Sequence, residues 1–447
     1  MKNKILTLVI CLSLIVAVVC FVACSSKTLE TYDTTFASKY NTDADNSAYT
    51  ADISGKSLIV GAIMVGDETE GYTKAHMDGI NAAVDFLATK GATVSVVWKK
   101  SVGEDATCAT ACQDVIDNGH ATLVVTNSYG HQFAIGDTID ANPSVTFVSM
   151  TGDLAATSGK ANWKNAFTDI YQSRYVSGVA AGLKLKQLVE DGMIADNNKD
   201  ENGNIKIGYV GAFPYAEVVS GYTAFYLGIK SVVSNVVMSV KYTNSWFDFN
   251  AENETAKALI AAGCVIIGQH ADSEGAPTAC EQAFQDGTLV YSVGYNVGML
   301  KAAPCASLTS STNNWAVYYT NLFYKMLTGA EVDTDWHAGY EAGAVGITEL
   351  NGKAFKTDIS AEIKAVVDKI VAGELMVFDC STFTVNGATI SEYMADVIPD
   401  EAYTADTQVV KTTTIGGKEV KYVSESTFRS APYFALRIDG ITELGNA

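Results

Sequence analysis

The fold is decided by residues 57–91, which read SLIVGAIMVGDETEGYTKAHMDGINAAVDFLATKG. The stretch begins with an unbroken apolar run over 57–65, which is typical of a strand buried on both faces of a parallel sheet. A glycine-containing loop follows, and apolar residues then recur at helical spacing from Met77 to Leu87 until Gly91 ends the helix. A buried strand followed by a helix predicts a β-α-β unit and a parallel sheet.

The same alternation continues along the chain and then starts again. After a long predicted helix at Asn165–Leu188, a second run at Ile205–Val210 leads to a polar loop and a helix, as the first run does. Two similar α/β halves predict two doubly wound parallel-sheet lobes joined by a hinge, with a cleft between them. Ligands of open parallel sheets sit at the carboxyl ends of the strands, so the loops that follow the strands are the candidate contacts.

These patterns divide the chain into five parts. Residues 24–56 are rich in polar residues without an apolar period and predict a flexible tether, and a hairpin is predicted around Gly416-Gly417. The predicted parts are a signal peptide at 1–23, the tether at 24–56, lobe I at 57–165 with 296–328, lobe II at 166–295 with 329–380, and a C-terminal extension at 381–447.

The N-terminal segment predicts export and anchoring. Two lysines precede a long apolar stretch that ends at Phe21-Val22-Ala23-Cys24, which is the pattern of a signal peptide and resembles a bacterial lipobox. We therefore expect cleavage before Cys24, lipidation of its thiol, and a location on the extracytoplasmic face of the cell membrane. An uncleaved membrane anchor is the alternative.

The amino-acid composition limits the classes of ligand and partner that the protein is expected to bind. The formal net charge of −20 disfavours nucleic acid as a partner. Arginine is the usual residue for bidentate binding of carboxylates and phosphates, but it occurs only three times. Its scarcity favours a neutral ligand; a genome that prefers lysine is the alternative explanation. Six cysteines remain after Cys24, and buried thiols or one or two disulfides are expected rather than a metal site.

The sequence motifs of several common catalytic sites are missing from the chain. It contains no dinucleotide-binding glycine motif, no phosphate loop, no nucleophile elbow and no His-Glu-x-x-His. His270 and Asp272 could mimic a metal pair, but a hydrogen-bonded loop histidine is the favoured interpretation. We predict that the protein is not an enzyme and has no cofactor or metal.

The loops after the predicted strands instead carry aromatic residues beside single polar ones. Tyr72, Tyr129, Phe213 and Trp246 lie in such loops, and Asn127 precedes Tyr129. Flat rings hold flat ligands while a few polar groups fix the hydrogen bonds, which suits a nucleobase or a sugar ring. About half of these aromatic residues are expected to be core residues at the sheet ends.

Several short motifs resemble the basic membrane protein family of ABC-importer lipoproteins, which bind purine nucleosides or bases. The strongest are Asn244-Ser-Trp-Phe-Asp248, Gln269-His-Ala-Asp-Ser273 and Gly294-Tyr-Asn296, and the similarity runs from about Lys56 to Gly387. The resemblance implies a type I periplasmic-binding-protein fold, three crossing strands, a purine ligand in the cleft and an ABC permease as partner. The ligand-binding residues that the resemblance implies are Asp67, Tyr72, Asn127, Phe213, Trp246, Asp272 and Asn296. Tyr129 is added to the candidates because it is an aromatic residue in a loop after a strand.

In this implied site, Tyr72 and an aromatic residue of the second lobe stack on the purine, and Asp272 accepts hydrogen bonds from the ribose or the base. Asn296 departs from the family, where aspartate is usual, so a free base is an alternative to a nucleoside. Three other functions stay open: a sugar or signal-molecule binding protein of the same fold, an extracellular nucleoside-processing enzyme using Asp67 or Asp272, and a sensor or adhesin.

Overall fold

The structure, a computed structural model, describes residues 29–399 and 403–445. The predicted signal peptide at 1–23 and the predicted lipid site at Cys24 lie outside these residues.

The first of two large sheets, sheet I, is entirely parallel and forms the core of lobe I. Its strands are β1 (Ser57–Ile63), β2 (Thr93–Lys99), β3 (Leu123–Thr126), β4 (Thr146–Met150), β5 (Trp163–Ala166) and β11 (Asp335–Trp336), in the spatial order β11-β5-β4-β3-β1-β2. Its helices are α1 (Gly71–Thr89), α2 (Ala106–Asp117), α3 (Gly136–Ala141), α4 (Ala155–Ser158) and α9 (Trp315–Thr328). The 57–91 stretch thus forms the strand and helix that its pattern predicts.

Sheet II forms the core of lobe II and is parallel apart from one edge strand, β12. Its strands are β6 (Ile205–Gly211), β7 (Val236–Tyr242), β8 (Ile266–Gln269), β9 (Tyr291–Tyr295), β10 (Ser307–Asn313), β12 (Val345–Ile347) and β17 (Ile441–Leu444), in the order β12-β10-β9-β8-β6-β7-β17. Its helices are α5 (Ile170–Glu190), α6 (Ala216–Lys230), α7 (Phe249–Ala261), α8 (Gly275–Gln285) and α10 (Ser360–Val371). Two lobes built on parallel sheets confirm the predicted fold class.

The C-terminal extension carries two small antiparallel pairs besides β17. One joins β13 (Met394–Ala395) to β14 (Thr407–Gln408), and the other joins β15 (Val410–Ile415) to β16 (Lys418–Val423). The second pair is the predicted hairpin. Gly416 and Gly417 both have positive φ, as a tight two-residue hairpin turn requires.

The chain crosses between the lobes after β5, after β10 and after β11. Two predicted lobe boundaries are therefore wrong: 296–328 is not all lobe I, because β10 pairs with β9 in sheet II, and 329–380 is not all lobe II, because β11 pairs with β5 in sheet I. The strand β10 escaped prediction because its sequence, SLTSSTN, has no apolar run. Its hydroxyl side chains are nevertheless almost all buried between neighbouring elements.

The segment predicted as a flexible tether packs on both lobes from residue 29 onward. The Tyr32 and Thr34 amides donate to carbonyls at Lys353 and Gly352, 3.0 and 2.9 Å away, and further along the segment Ile53 is buried. The segment is held by backbone hydrogen bonds to residues distant in sequence. Such bonds leave no local pattern, so its polar composition alone suggested a flexible segment. The prediction of a tether is wrong for residues 29–56.

Helices α5 and α6 approach each other closely at two glycines, Gly178 and Gly228. A β-carbon on Gly178 would collide with the Phe225 carbonyl oxygen, and one on Gly228 would collide with the Tyr175 carbonyl oxygen. The two glycines face each other, so the backbones themselves are in contact. This contact fixes α5, which enters lobe II directly after the first crossover.

We expect Gly178→Ala to lower the free energy of unfolding by about 3 kcal/mol, because the added methyl group forces the two helices apart. Urea denaturation measures the change. Gly136→Ala is the control, since Gly136 has open space around it and should show no more than a few tenths of that loss. Equal stability of the two variants would contradict the close helix contact.

Candidate functional site

The two lobes touch across the cleft at the start of α1. The Gly71 amide in lobe I donates to the Asp272 carbonyl in lobe II at 3.2 Å, and a β-carbon on residue 71 would lie 3.2 Å from that oxygen. Gly71 also lies against Asn296 and Val297. The structure is thus a closed form, in which the carboxyl ends of the two sheets face each other.

Three aromatic rings cluster on the lobe II side of the cleft. Phe213 stacks on Tyr215 with centroids 5.3 Å apart, and Trp246 meets both rings at 5.1 and 6.0 Å. These rings follow β6 and β7, whose ends bring them together. Phe213 and Trp246 are predicted site residues. Tyr215 lies two positions beyond Phe213 in the same loop and is half exposed, but it was not among the predicted residues.

A ring pair also crosses the cleft. Tyr129, after β3 in lobe I, lies 6.3 Å from Tyr215 in lobe II, and its hydroxyl donates to Asp153 at 3.1 Å. Gln132 holds the same carboxylate from the other side at 3.0 Å. Tyr129 is therefore oriented by a buried acid, and its ring helps to close the mouth of the cleft.

Tyr72, by contrast, packs mainly on rings of its own lobe. Its ring meets His76 edge-on at 4.5 Å and Trp315 at 6.4 Å. Burial raises the pKa of its hydroxyl well above the usual range, and Tyr295 of lobe II adds to the shift. Tyr72 thus lies at the lobe interface, and its role in stacking on a ligand stays a prediction.

Two other predicted contacts are engaged in local structure. The Asp67 carboxylate accepts from the Thr69 amide and hydroxyl at 2.9 and 2.6 Å, which forms a turn before α1. The fully buried Asn127 accepts from the Val65 amide at 2.7 Å and donates to Thr73 at 3.0 Å. Asn127 therefore ties the end of β1 to α1, and its contact with a ligand stays a prediction.

Asp272 and Asn296 come together in one buried chain of hydrogen bonds. The Asn296 side-chain amide donates to Asp272 Oδ1 at 2.7 Å, and the Asn313 side-chain amide donates to Asn296 Oδ1 at 3.0 Å. Asn296 has a φ of 62°, a conformation that asparagine tolerates. The chain orients Asp272 and leaves its Oδ2 without a hydrogen bond to the described part of the chain.

Acidic side chains from both lobes surround Asp272. Burial raises its pKa well above the usual range, and Glu70 of lobe I with Glu252 and Glu217 of lobe II adds to the shift. Burial also raises the pKa of Glu70, which caps α1 by accepting from the Thr73 amide at 3.1 Å. A carboxyl that keeps its proton can donate a hydrogen bond as well as accept one.

Burial raises the pKa of Glu252 to about 7, although its carboxylate accepts from the Asp248 and Ser273 amides. The protonated form therefore stabilises the fold below about pH 4.5, and this stability is lost as the pH rises through about 7. We expect Glu252→Gln to be more stable than the parent chain at pH 8 by about 2 kcal/mol and to lose that advantage near pH 5. Thermal denaturation against pH measures this, and the exposed Glu254→Gln is the control. Parallel curves would contradict the expectation.

A buried cation lies beneath lobe II's side of the cleft. Arg174 of α5 donates to the Gln269 carbonyl at 2.6 Å, and its guanidinium lies 3.6 Å from the Tyr295 ring centroid. His270 pairs with Glu217 at 2.6 Å and with Tyr209 at 3.3 Å, so it is the hydrogen-bonded histidine that was favoured over a metal ligand. Arg174 was not among the predicted site residues, and it supports the floor of the cleft through Gln269 and Tyr295.

The described residues hold neither a metal-binding cluster nor a disulfide. Within 29–399 and 403–445, no group of three histidine, cysteine, aspartate or glutamate side chains is placed to hold a metal ion. The six cysteines of these ranges are free thiols. What the cleft does contain is an aromatic cluster and an acid oriented by Asn296.

Two parallel-sheet lobes, three crossovers and a cleft lined in this way define a solute-binding protein of the type I periplasmic class. Residues 60–380 match the family described as ABC transporter substrate-binding protein PnrA-like, and the chain belongs to that family. Its members bind a substrate for a membrane permease, on the extracytoplasmic side. Among the described residues, none of the helices has the length and apolar character to cross a bilayer.

Two curated relatives are similar in sequence. A purine-binding protein of Brucella abortus (strain 2308) is 29% identical over 322 residues, which cover 72% of this chain and 83% of that protein. A putative ABC transporter glucose-binding protein of Haloferax volcanii is 29% identical over 266 residues, which cover 59% of this chain and 61% of that protein.

Solved structures of low sequence identity share the fold. An ABC transporter solute-binding protein of Aeropyrum pernix K1 has a TM-score of 0.58 at 14% identity and covers 74% of this chain and 94% of its own. Another from Conexibacter woesei has a TM-score of 0.52 at 19% identity, with 71% and 97% covered.

Proposed function

We propose that this protein binds a purine base or nucleoside in the cleft and delivers it to an ABC permease, anchored to the membrane through a lipid on Cys24. The observation that carries the proposal is the aromatic cluster of Phe213, Tyr215 and Trp246 at the same cleft as the oriented Asp272. A ring cluster offers a stacking face, and a carboxyl group offers a partner for the polar edge of a base. The similarity to a purine-binding protein supports the same ligand class.

A sugar is the second candidate ligand. Aromatic faces also stack on sugar rings, and one relative is named as a putative glucose-binding protein. The two candidates differ in what they need from the cleft: a base needs a flat slot with few polar groups, whereas a hexose needs hydrogen bonds to several hydroxyls.

Thermal denaturation with a ligand panel tests the proposal. The panel contains adenine, guanine, inosine, guanosine, glucose and galactose. A ligand present at a thousand times its Kd stabilises the folded state by about 4 kcal/mol, which raises the Tm by several degrees. A rise with purines alone supports the proposal, a rise with hexoses alone favours the sugar, and no rise with any purine contradicts the purine assignment.

The lipid anchor has a separate test. Mass spectrometry of the protein extracted from membranes of its own host reports the mature N-terminus. A lipid-modified Cys24 as the first residue supports the anchor. An unmodified Cys24 contradicts it without affecting the ligand assignment.

A further inference from the structure

The C-terminal extension contains a segment that bonds to both lobes. We call residues 424–444 the C-terminal strap. It lies outside the 60–380 range that matches the family, and it is distinct from the three crossovers of the hinge. Its contacts with the two lobes differ in kind.

The strap is built into lobe II. Its last strand, β17, extends sheet II by pairing in parallel with β7 over four residues. Tyr222 and Tyr242 of lobe II both donate to Glu443 at 2.6 and 2.8 Å. The buried Phe434 stacks on Phe378 at 4.2 Å. Separating this interface would expose apolar surface and unpair a strand, so it stays together when the cleft opens.

The strap's contact with lobe I is small and polar. Arg429 places Nη1 3.5 Å from Asp153, and both side chains are buried. Next to it, the Ser430 amide and hydroxyl donate to Asp335 at 2.8 and 2.5 Å. Charged and hydroxyl groups can be hydrated again in water, so this interface can separate without exposing a hydrophobic core.

Arg429 is held in place by three backbone carbonyls, two from the strap and one from an earlier part of the C-terminal extension. Its guanidinium donates to the carbonyls of Ala431, Val397 and Pro432 at 3.0, 2.9 and 3.3 Å. The charge is therefore presented to lobe I in one geometry, with little side-chain freedom to lose on contact.

The acid that receives this charge also orients the mouth of the cleft. Asp153 accepts from the Tyr129 hydroxyl at 3.1 Å, and the Tyr129 ring lies 6.3 Å from Tyr215 across the cleft. A connected path therefore runs from the strap through Asp153 and Tyr129 to the aromatic cluster of lobe II.

We propose that the C-terminal strap is a releasable fastener of the closed form, fixed to lobe II and bonded to lobe I through Arg429 and Ser430. Arg429 is its positioning residue, because it acts on the cleft through Asp153 and Tyr129 rather than on the ligand. The strap shifts the balance between open and closed forms toward closure and slows ligand release.

Interlobe distances in the protein without ligand test this proposal independently of the ligand assignment. Spin labels on Asn81→Cys in α1 and Ala258→Cys in α7, both exposed, report the separation by electron–electron double resonance. Cys305→Ser removes the one native thiol of the described range that is not buried. We expect Arg429→Gln to shift the distance distribution toward longer separations, and Asp153→Asn to do the same.

The double variant should shift the distribution no further than either single variant, because each already breaks the same contact. Arg437→Gln is the matched control: this arginine belongs to the same strap but pairs with Glu443 at 2.9 Å and should leave the distribution unchanged. Circular dichroism establishes that each variant is folded. Distributions that stay the same in folded Arg429→Gln and Asp153→Asn overturn the proposal, as does an equal shift in Arg437→Gln.

Discussion

Trp246→Ala is expected to weaken the binding of a purine nucleoside about 10- to 100-fold. Stacking of a base on an aromatic side chain contributes about 1–3 kcal/mol, and each 1.4 kcal/mol is a factor of ten in Kd. Trp246 also contacts Phe213 and Tyr215, so its loss loosens the remaining wall. Isothermal titration calorimetry with inosine and guanosine measures the change.

Two further variants separate stacking from general damage. Trp246→Phe keeps an aromatic face and should recover most of the affinity. Phe247→Ala removes the neighbouring, exposed ring, which lies outside the cluster, and should bind as the parent chain does. Unchanged affinity in Trp246→Ala, or an equal loss in Phe247→Ala, would show that the cluster is not the stacking face.

Asp272→Ala is expected to cost about 100-fold in purine affinity. The variant removes the one carboxyl group held against the cleft by Asn296 and leaves the buried Asn296 amide without its acceptor. A buried donor left without its acceptor costs about 1–3 kcal/mol, and the ligand loses its own hydrogen bond to the carboxyl group as well. Asp286→Ala is the control, because Asp286 is exposed at the end of α8. Affinity within twofold of the parent chain would remove Asp272 from the proposed site.

Asp272 is also expected to make the ligand affinity depend on pH. In the closed form Asp272 is buried, and Glu70 of lobe I lies near it; both effects raise its pKa, so we expect closure to take up a proton. The closed form is therefore favoured at low pH and loses stability as the pH rises through the raised pKa. We expect purine affinity to fall as the pH rises through this raised pKa in the parent chain and to fall less in Asp272→Asn, which cannot ionise. Parallel pH profiles would contradict proton uptake at this residue.

Local patterns in the sequence were enough to predict the two parallel-sheet lobes and the position of Phe213 and Trp246 at the end of a sheet. The apolar runs at 57–65 and 205–210 each correspond to one strand, so the local hydrophobic pattern is sufficient to predict them. Phe213 and Trp246 were predicted for the same reason: a residue that follows a buried parallel strand must lie at the carboxyl end of the sheet.

The sequence by itself thus determined two parallel-sheet lobes and the aromatic face of the cleft. Only the tertiary structure decided where the chain crosses between the lobes, because the polar strand β10 is buried by neighbours distant in sequence. It alone also assigned Asn127 to the joint between β1 and α1 and brought Arg429 to Asp153. Hydrogen bonds and ion pairs between residues far apart in the chain depend on how whole elements are placed, and no local period encodes that placement.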